Sequence, residues 1–408
     1  MFKQKMQLRF STRTAFTLVE LLVVMGIITL VAAVTLPSIK GLMKDQTITQ
    51  GVRLVNAYAE SAKARAIGTG RPVALIIERM KLDNTAGADA TSNDTSTRLS
   101  IGEVFPPYAG DWAGSTATIT QHPSLAGIQV ANIPFSQAAS LIDSQSGLST
   151  KLVDVDDVIQ FGDSPQTFRI VAPVSRSGLD VQIQFANPPL DALTLLPTGE
   201  PTLFPNAQQG SPLPSLPMKF RIFRKPSKSL VGYITLPRGI CIDLSVSGLG
   251  TSGREFGAES ISGAMPAPAG YYGPVYIVFN SMGTVQELYY ATAANNRDQD
   301  TVRHSAGSMI HLLIGKTDQV FPNPVGDSNN PGYLSNTNIV SPAAGTRDDL
   351  TYNILDSSNY WISINPFTGT VYSSSVAQLR NTSTGGLANA RIAEARAFAI
   401  AGVQSTNP

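Results

Sequence analysis

From Phe16 to Leu36 the chain is apolar at almost every position, and Pro37 closes the run. At 1.5 Å per residue a helix of this length reaches about 30 Å, so residues 16–36 are predicted to span a bilayer's hydrocarbon core. Beyond Pro37 and Gly41 the pattern changes. Ile48, Val52, Val55, Ala59, Ala62 and Ala66 recur at alternating spacings of four and three, with Lys44, Asp45, Arg53, Glu60, Lys63 and Arg65 on the other faces. That is one stripe of an amphipathic helix. Gly68, Gly70 and Pro72 supply a stop. One long helix over 16–68 follows, apolar all round in its first half and single-faced in its second, with Pro37 as its expected kink.

After the helix the period shortens to that of strands. Candidates are 71–77, 166–171, 179–185, 218–224, 232–236, 240–244, 275–279, 284–290 and 308–315, with Asn280-Ser281-Met282-Gly283 as a hairpin turn. Tyr360 to Tyr372 reads as a strand, a tight turn and a last strand. Between them 82–97, 196–217, 245–270 and 320–347 are rich in Gly, Pro, Ser or Asn and read as loop insertions. Residues 387–400 are an Ala-rich helix candidate that either docks on the sheet or stays free. The expected fold is therefore α+β: a long N-terminal helix packed on an antiparallel β-sheet domain with long loop insertions. Its divisions are a basic leader at 1–15, the helix at 16–68, a β-rich domain at 69–376 and a tail at 377–408.

Composition sharpens the class. Charged residues make up 14% of the 408, and the formal net charge is +1. Such a balance suits a loop-rich extracytoplasmic β protein and gives no electrostatic footprint for nucleic acid. Cys241 is the only cysteine. No intramolecular disulfide or cysteine-based zinc site can form, and in its apolar setting Cys241 reads as a small buried residue.

Lys3, Lys5, Arg9 and Arg13 precede the apolar run with no acidic residue among them. This asymmetry predicts a cytoplasmic N-terminus with the bulk of the chain outside. Glu20 is the unusual residue. A carboxylate inside an apolar helix costs about 2.5–3.5 kcal/mol on insertion scales, so it calls for a partner. Cleavage between Ala15 and Phe16 would create an ammonium one helical turn before it.

Ala15-Phe16-Thr17-Leu18-Val19-Glu20-Leu21-Leu22-Val23-Val24 resembles the cleavage and methylation motif of type IV pilins and type II secretion pseudopilins. The resemblance implies a pilin-like fold, cleavage by a prepilin peptidase after Ala15, N-methylation of Phe16, and a role for Glu20 in registering subunits during assembly. It further implies a single-pass protein of the inner membrane, its globular domain periplasmic or extracellular until filament assembly. The family usually has Gly where this chain has Ala15. The passage from Asn56 to Val73 and the hairpin at 275–285 are similar to H-type minor pseudopilins.

A competing reading is a secretory signal peptide, for which Val31-Ala32-Ala33 offers the small residues of a cleavage site. Glu20 and the helical pattern continuing past that site stand against it. Catalytic chemistry is not legible. His122, His304 and His311 are scattered, and Gly315-Lys316-Thr317 lacks the glycine-rich approach of a phosphate loop. Asp154, Asp156 and Asp157 read as a solvated strand face more than a calcium site. The expected function is a minor pilin or pseudopilin subunit, not an enzyme, with no cofactor or metal. Its expected partners are prepilin peptidase, other pilin or pseudopilin subunits, and secreted cargo or a surface ligand. The alternatives are a loop-displaying adhesin or binding protein on the same chassis, or a signal-anchored extracytoplasmic protein.

Overall fold

The computed structural model describes residues 18–80, 94–189, 202, 204, 214–230, 232–257, 273–291, 301–320, 353–378 and 388–405. Three antiparallel sheets of seven, seven and five strands dominate them. The α+β expectation of one pilin-like sheet domain behind a long helix is thereby corrected: the described chain is mainly β. The physical reason lies in segments that carried no element in the sequence, chiefly between residues 95 and 161. Their partners lie far along the chain, so their strand character comes from pairing more than from local apolar period.

Helix α1 covers Leu18–Thr69 and continues through Pro37. Ile48, Val52, Val55, Ala59, Ala62 and Ala66 are all buried, at 0–5% exposure. They belong to a core that also holds Val73, Leu75 and Ile77 of β1 (Val73–Glu78), Ile277 and Phe279 of β14 (Val275–Phe279), and Ile240 and Ile242 of β13 (Ile240–Leu249). Further contributors are Ile310, Leu312 and Ile314 of β17 (Ile310–Lys316) and Ile362 and Ile364 of β18 (Tyr360–Ile364).

The first sheet centres on β1, flanked by β3 (Arg98–Glu103) and β14, and continues through β15 (Val285–Ala291) to β16 (Thr301–Ser305), while the short β12 (Ile234–Thr235) pairs with the outer edge of β3. The third sheet runs from β19 (Val371–Ser375) through β18, β17 and β13 to β2 (Thr95–Ser96). The tight turns of the two sheets abut beside α1. A side-chain carbon at Gly369 (φ +62°) would overlap the Gly283 carbonyl, and one at Gly283 (φ +83°) would lie 2.8 Å from Ile67 Cδ1. Both positions therefore require glycine.

The other face of the third sheet is covered by α2 (Ala388–Ala395) and α3 (Ala397–Ser405). Ile392, Ala395 and Ala399 pack with Val246, Leu313, Trp361 and Val376, and Trp361 Nε1 donates to the Ala395 carbonyl at 3.0 Å.

The second sheet has a core of its own. Its strands are β4 (Thr116–Gln121), β5 (Ile128–Pro134), β6 (Val158–Phe161), β7 (Thr167–Arg169), β8 (Ser175–Ser177), β9 (Asp180–Ala186) and β10 (Met218–Phe223). The order β7-β6-β10-β4-β5-β9-β8 curls until Ile170 bridges Phe185, bringing β7 beside β9 in a partly closed barrel. Phe161, Phe168, Phe185 and Phe204 fill it with ring centroids 5.1–6.2 Å apart. Strand β9 alternates strictly, burying Val181, Ile183 and Phe185. The whole barrel lies between β3 and β11 (Ser227–Lys228), and Glu103 pairs directly with Ser227. The chain thus leaves the first sheet at one point and returns beside it, which makes the barrel an inserted module.

Candidate functional site: the first turns of α1

Eleven large apolar side chains between Leu18 and Val31 are exposed, with Leu18 at 79% and Leu30 at 69%. Leu21, Leu22, Val23, Val24 and Met25 are consecutive, and steps of about 100° carry them right round the helix. No face of this segment is a solvent face in the usual sense. By contrast, the stripe from Ile48 to Ala66 is closed by the sheets. Burying each exposed Val, Leu, Ile or Met is worth about 1.5–3 kcal/mol, so the segment is strongly driven to find a cover.

Glu20 lies in this segment, near the start of α1. Pro37 falls within the same helix. Ala15 and Phe16 lie outside the described residues, as do most of the insertions read at 82–97, 196–217 and 320–347. The expected localisation, a single pass across the inner membrane over 16–36, is corrected. Among the described residues no helix is long and apolar enough to cross a membrane. The stretch with described apolar side chains, residues 18–31, is about 21 Å long and contains a carboxylate, against about 30 Å of hydrocarbon.

The other residues singled out in the sequence have structural roles. Cys241 is fully buried in β13, and burial pushes its thiol well above the ordinary range. His311 is buried, with Nδ1 2.8 Å from Ser363 Oγ; burial, then the Arg396 charge, lowers its pKa to about 3. His304 stacks on Tyr290 at 3.9 Å, and burial lowers its pKa to about 4. His122 closes a turn, its Nδ1 accepting from the Ser124 and Leu125 amides. Gly315 packs against Asn353, and Lys316 pairs with Asp356 at 2.7 Å.

The acidic trio is not a solvated strand face. It forms a turn ahead of β6, with Asp156 (φ +68°) and Asp157 buried. Asp157 accepts from the Asp154 and Lys225 amides, yet burial outweighs those bonds and raises its pKa to about 6. Asp156 lies 3.7 Å from Arg169. No group of three or more metal-ligating side chains gathers among the described residues.

Sequence reasoning missed two features. One is the buried polar knot under α2 and α3. Arg396 donates to the carbonyls of Gly250, Val246 and Gly253, and its guanidinium sits 4.8 Å from the Trp361 ring centroid. The other is an exposed Trp112 in a glycine-bounded turn of the inserted barrel. The signal for it was a tryptophan in a run of turn residues, Gly110-Asp111-Trp112-Ala113-Gly114. No protein-family model, curated protein or solved structure matches this chain.

Proposed function

We propose that this protein is an assembly subunit of the type IV pilin or pseudopilin kind, joined to its neighbours through the first turns of α1. The observation that carries the reading is the apolar cylinder from Leu18 to Val31, exposed while the stripe from Ile48 to Ala66 of the same helix is built into the core. A bundle of equivalent helices from neighbouring copies covers such a cylinder on every face, which a single partner groove does not. Glu20 adds polarity to that bundle: its carboxylate, out of place in an apolar helix, is neutralised by the terminal ammonium of Phe16 in an adjacent copy after cleavage behind Ala15. Prepilin peptidase is the implied processing partner, and the β body is the part left free to meet cargo or a surface ligand.

Glu20→Ala tests the pairing. The variant is expected to keep the thermal midpoint of the body, because the core begins at Ile48, and to be depleted from sheared or detergent-extracted filaments of its host. Incorporation equal to the wild type would remove the proposed role of Glu20.

A further inference from the structure

The connection leading into the barrel ends in a turn that is rigidly built yet faces solvent. Asp111 N–H donates to the Gln137 carbonyl at 2.8 Å, and Ser115 N–H and Oγ–H both donate to the Trp112 carbonyl. Thr116 N–H donates to Gln137 Oε1 at 2.8 Å. Gly110 has φ +94°, and a side-chain carbon there would fall 2.3 Å from Ser115 Cβ, so the turn is closed tightly from within. Trp112 projects from this frame with 70% of its surface exposed, but it is not loose: Nε1 donates to the Ser136 carbonyl at 2.9 Å. Its edge is anchored and its aromatic surface is offered to solvent.

Beside it lies an open cleft of about 390 Å³ lined by Trp112, Ala113, Gly114, Ser115, Ser136 and Gln137. It is shallow and open to solvent, so a bound group would lie against the ring and not be enclosed. No lining side chain is charged. The nearest carboxylate, Asp111, is occupied by Tyr108 Oη–H, Ser140 N–H and Ser140 Oγ–H. Gln137 Oε1 is taken by Thr116, which leaves the carboxamide nitrogen as a donor, and the Ser136 hydroxyl stands exposed at the rim.

We infer that this cleft is a binding site for a neutral sugar unit of a glycan. A pre-positioned aromatic face suits the C–H face of a pyranose, whose hydrogens carry partial positive charge toward the negative face of the ring. The uncharged donors and acceptors beside it match hydroxyl or acetamido groups, and the absence of charge among the lining side chains disfavours phosphorylated or acidic ligands. A ring held by its own N–H loses little freedom on binding, which is the main cost such shallow sites must offset.

The two tryptophans make the test direct. Trp361 is fully buried, so ligand-dependent emission changes report Trp112. The full chain and each variant are titrated with cellohexaose, laminarihexaose, maltohexaose, mannohexaose and chitohexaose by isothermal titration calorimetry, with intrinsic fluorescence followed alongside in the chains that keep Trp112. At least one sugar is expected to give saturable binding that disappears in Trp112→Ala and is about tenfold weaker in Gln137→Glu, which keeps an acceptor for Thr116 N–H and removes the carboxamide donor. Trp112→Phe, which keeps an aromatic face, retains partial binding and guards against misfolding of the alanine variant. No binding of any of the five sugars at millimolar concentration, or binding that persists in Trp112→Ala, would overturn the assignment. Glu20→Ala should bind as the wild type does, so the outcome is independent of the assembly reading.

Discussion

Arg396 shows how much rests on single side chains here. It is fully buried, and burial lowers its pKa to about 9, yet it donates to three carbonyls. Arg396→Ala relieves the desolvated charge but removes three charge-assisted donations to backbone carbonyls. A net loss of about 2 kcal/mol is expected in denaturant unfolding, with faster proteolysis of α2 and α3. Lysine does not rescue it, because one ammonium cannot reproduce the planar fork. The buried imidazoles add to acid sensitivity. His304 and His311 are held neutral in the fold, with pKa values of about 4 and 3 against 6.5 for a free side chain. Their stabilising contribution is complete above pH 6.5 and is lost as pH falls from there toward 4 and 3, since the unfolded chain takes up the protons first. Asp157 and Asp243, raised to about 6 by burial, act oppositely: their protonated forms favour the fold, and that contribution fades as pH rises from 3.8 through 6. His304→Phe is therefore expected to lose less stability than the wild type between pH 6.5 and 4. Equal slopes, or ring resonances of His304 titrating at pH 6 or above, would contradict this.

At the scale of elements, the second half of α1 depends on small residues. Ala59, Ala62 and Ala66 have no exposed surface and let the helix lie close on β1 and its neighbours. Ala62→Leu is expected to cost about 1–3 kcal/mol by overpacking, read as a lower unfolding midpoint; an unchanged midpoint would mean the contact is looser than described. This stripe was legible in the sequence because helical period and burial coincide over six positions. The Asn280–Gly283 hairpin was legible because its turn chemistry is local: Asn280 N–H donates to the Thr284 carbonyl, and Gly283 takes a positive φ. Strands β3, β4 and β5 were not. Ser100, Ile101 and Gly102 in β3 are buried with few apolar atoms, and Thr116 to Gln121 alternates threonine with Ala117 and Ile119 too weakly to stand out. The acidic turn before β6 was misread for a related reason: tertiary burial, not local spacing, decides that Asp156 and Asp157 lie inside.

On the scale of the whole molecule, the Glu103–Ser227 pairing marks where the barrel is inserted into the first sheet. The barrel between these residues has a separate core, and replacing residues 104–226 by a short glycine-serine linker should leave the first and third sheets folded around α1. The excised chain is expected to unfold cooperatively with retained β-sheet circular dichroism; collapse into aggregate would show that the insertion supports the body. The exposed apolar turns of α1 and the inserted barrel thus lie in separate stretches of the chain, the barrel entering after β3 and returning at β11. The proposed assembly begins with a processed helix, and the N-terminal mass of the protein isolated from its own host reads that processing. A chain beginning at N-methylated Phe16 is the predicted result. A start at Val34, or an uncut Met1, would contradict it, the first by removing the apolar segment and the second by leaving Glu20 without its ammonium partner.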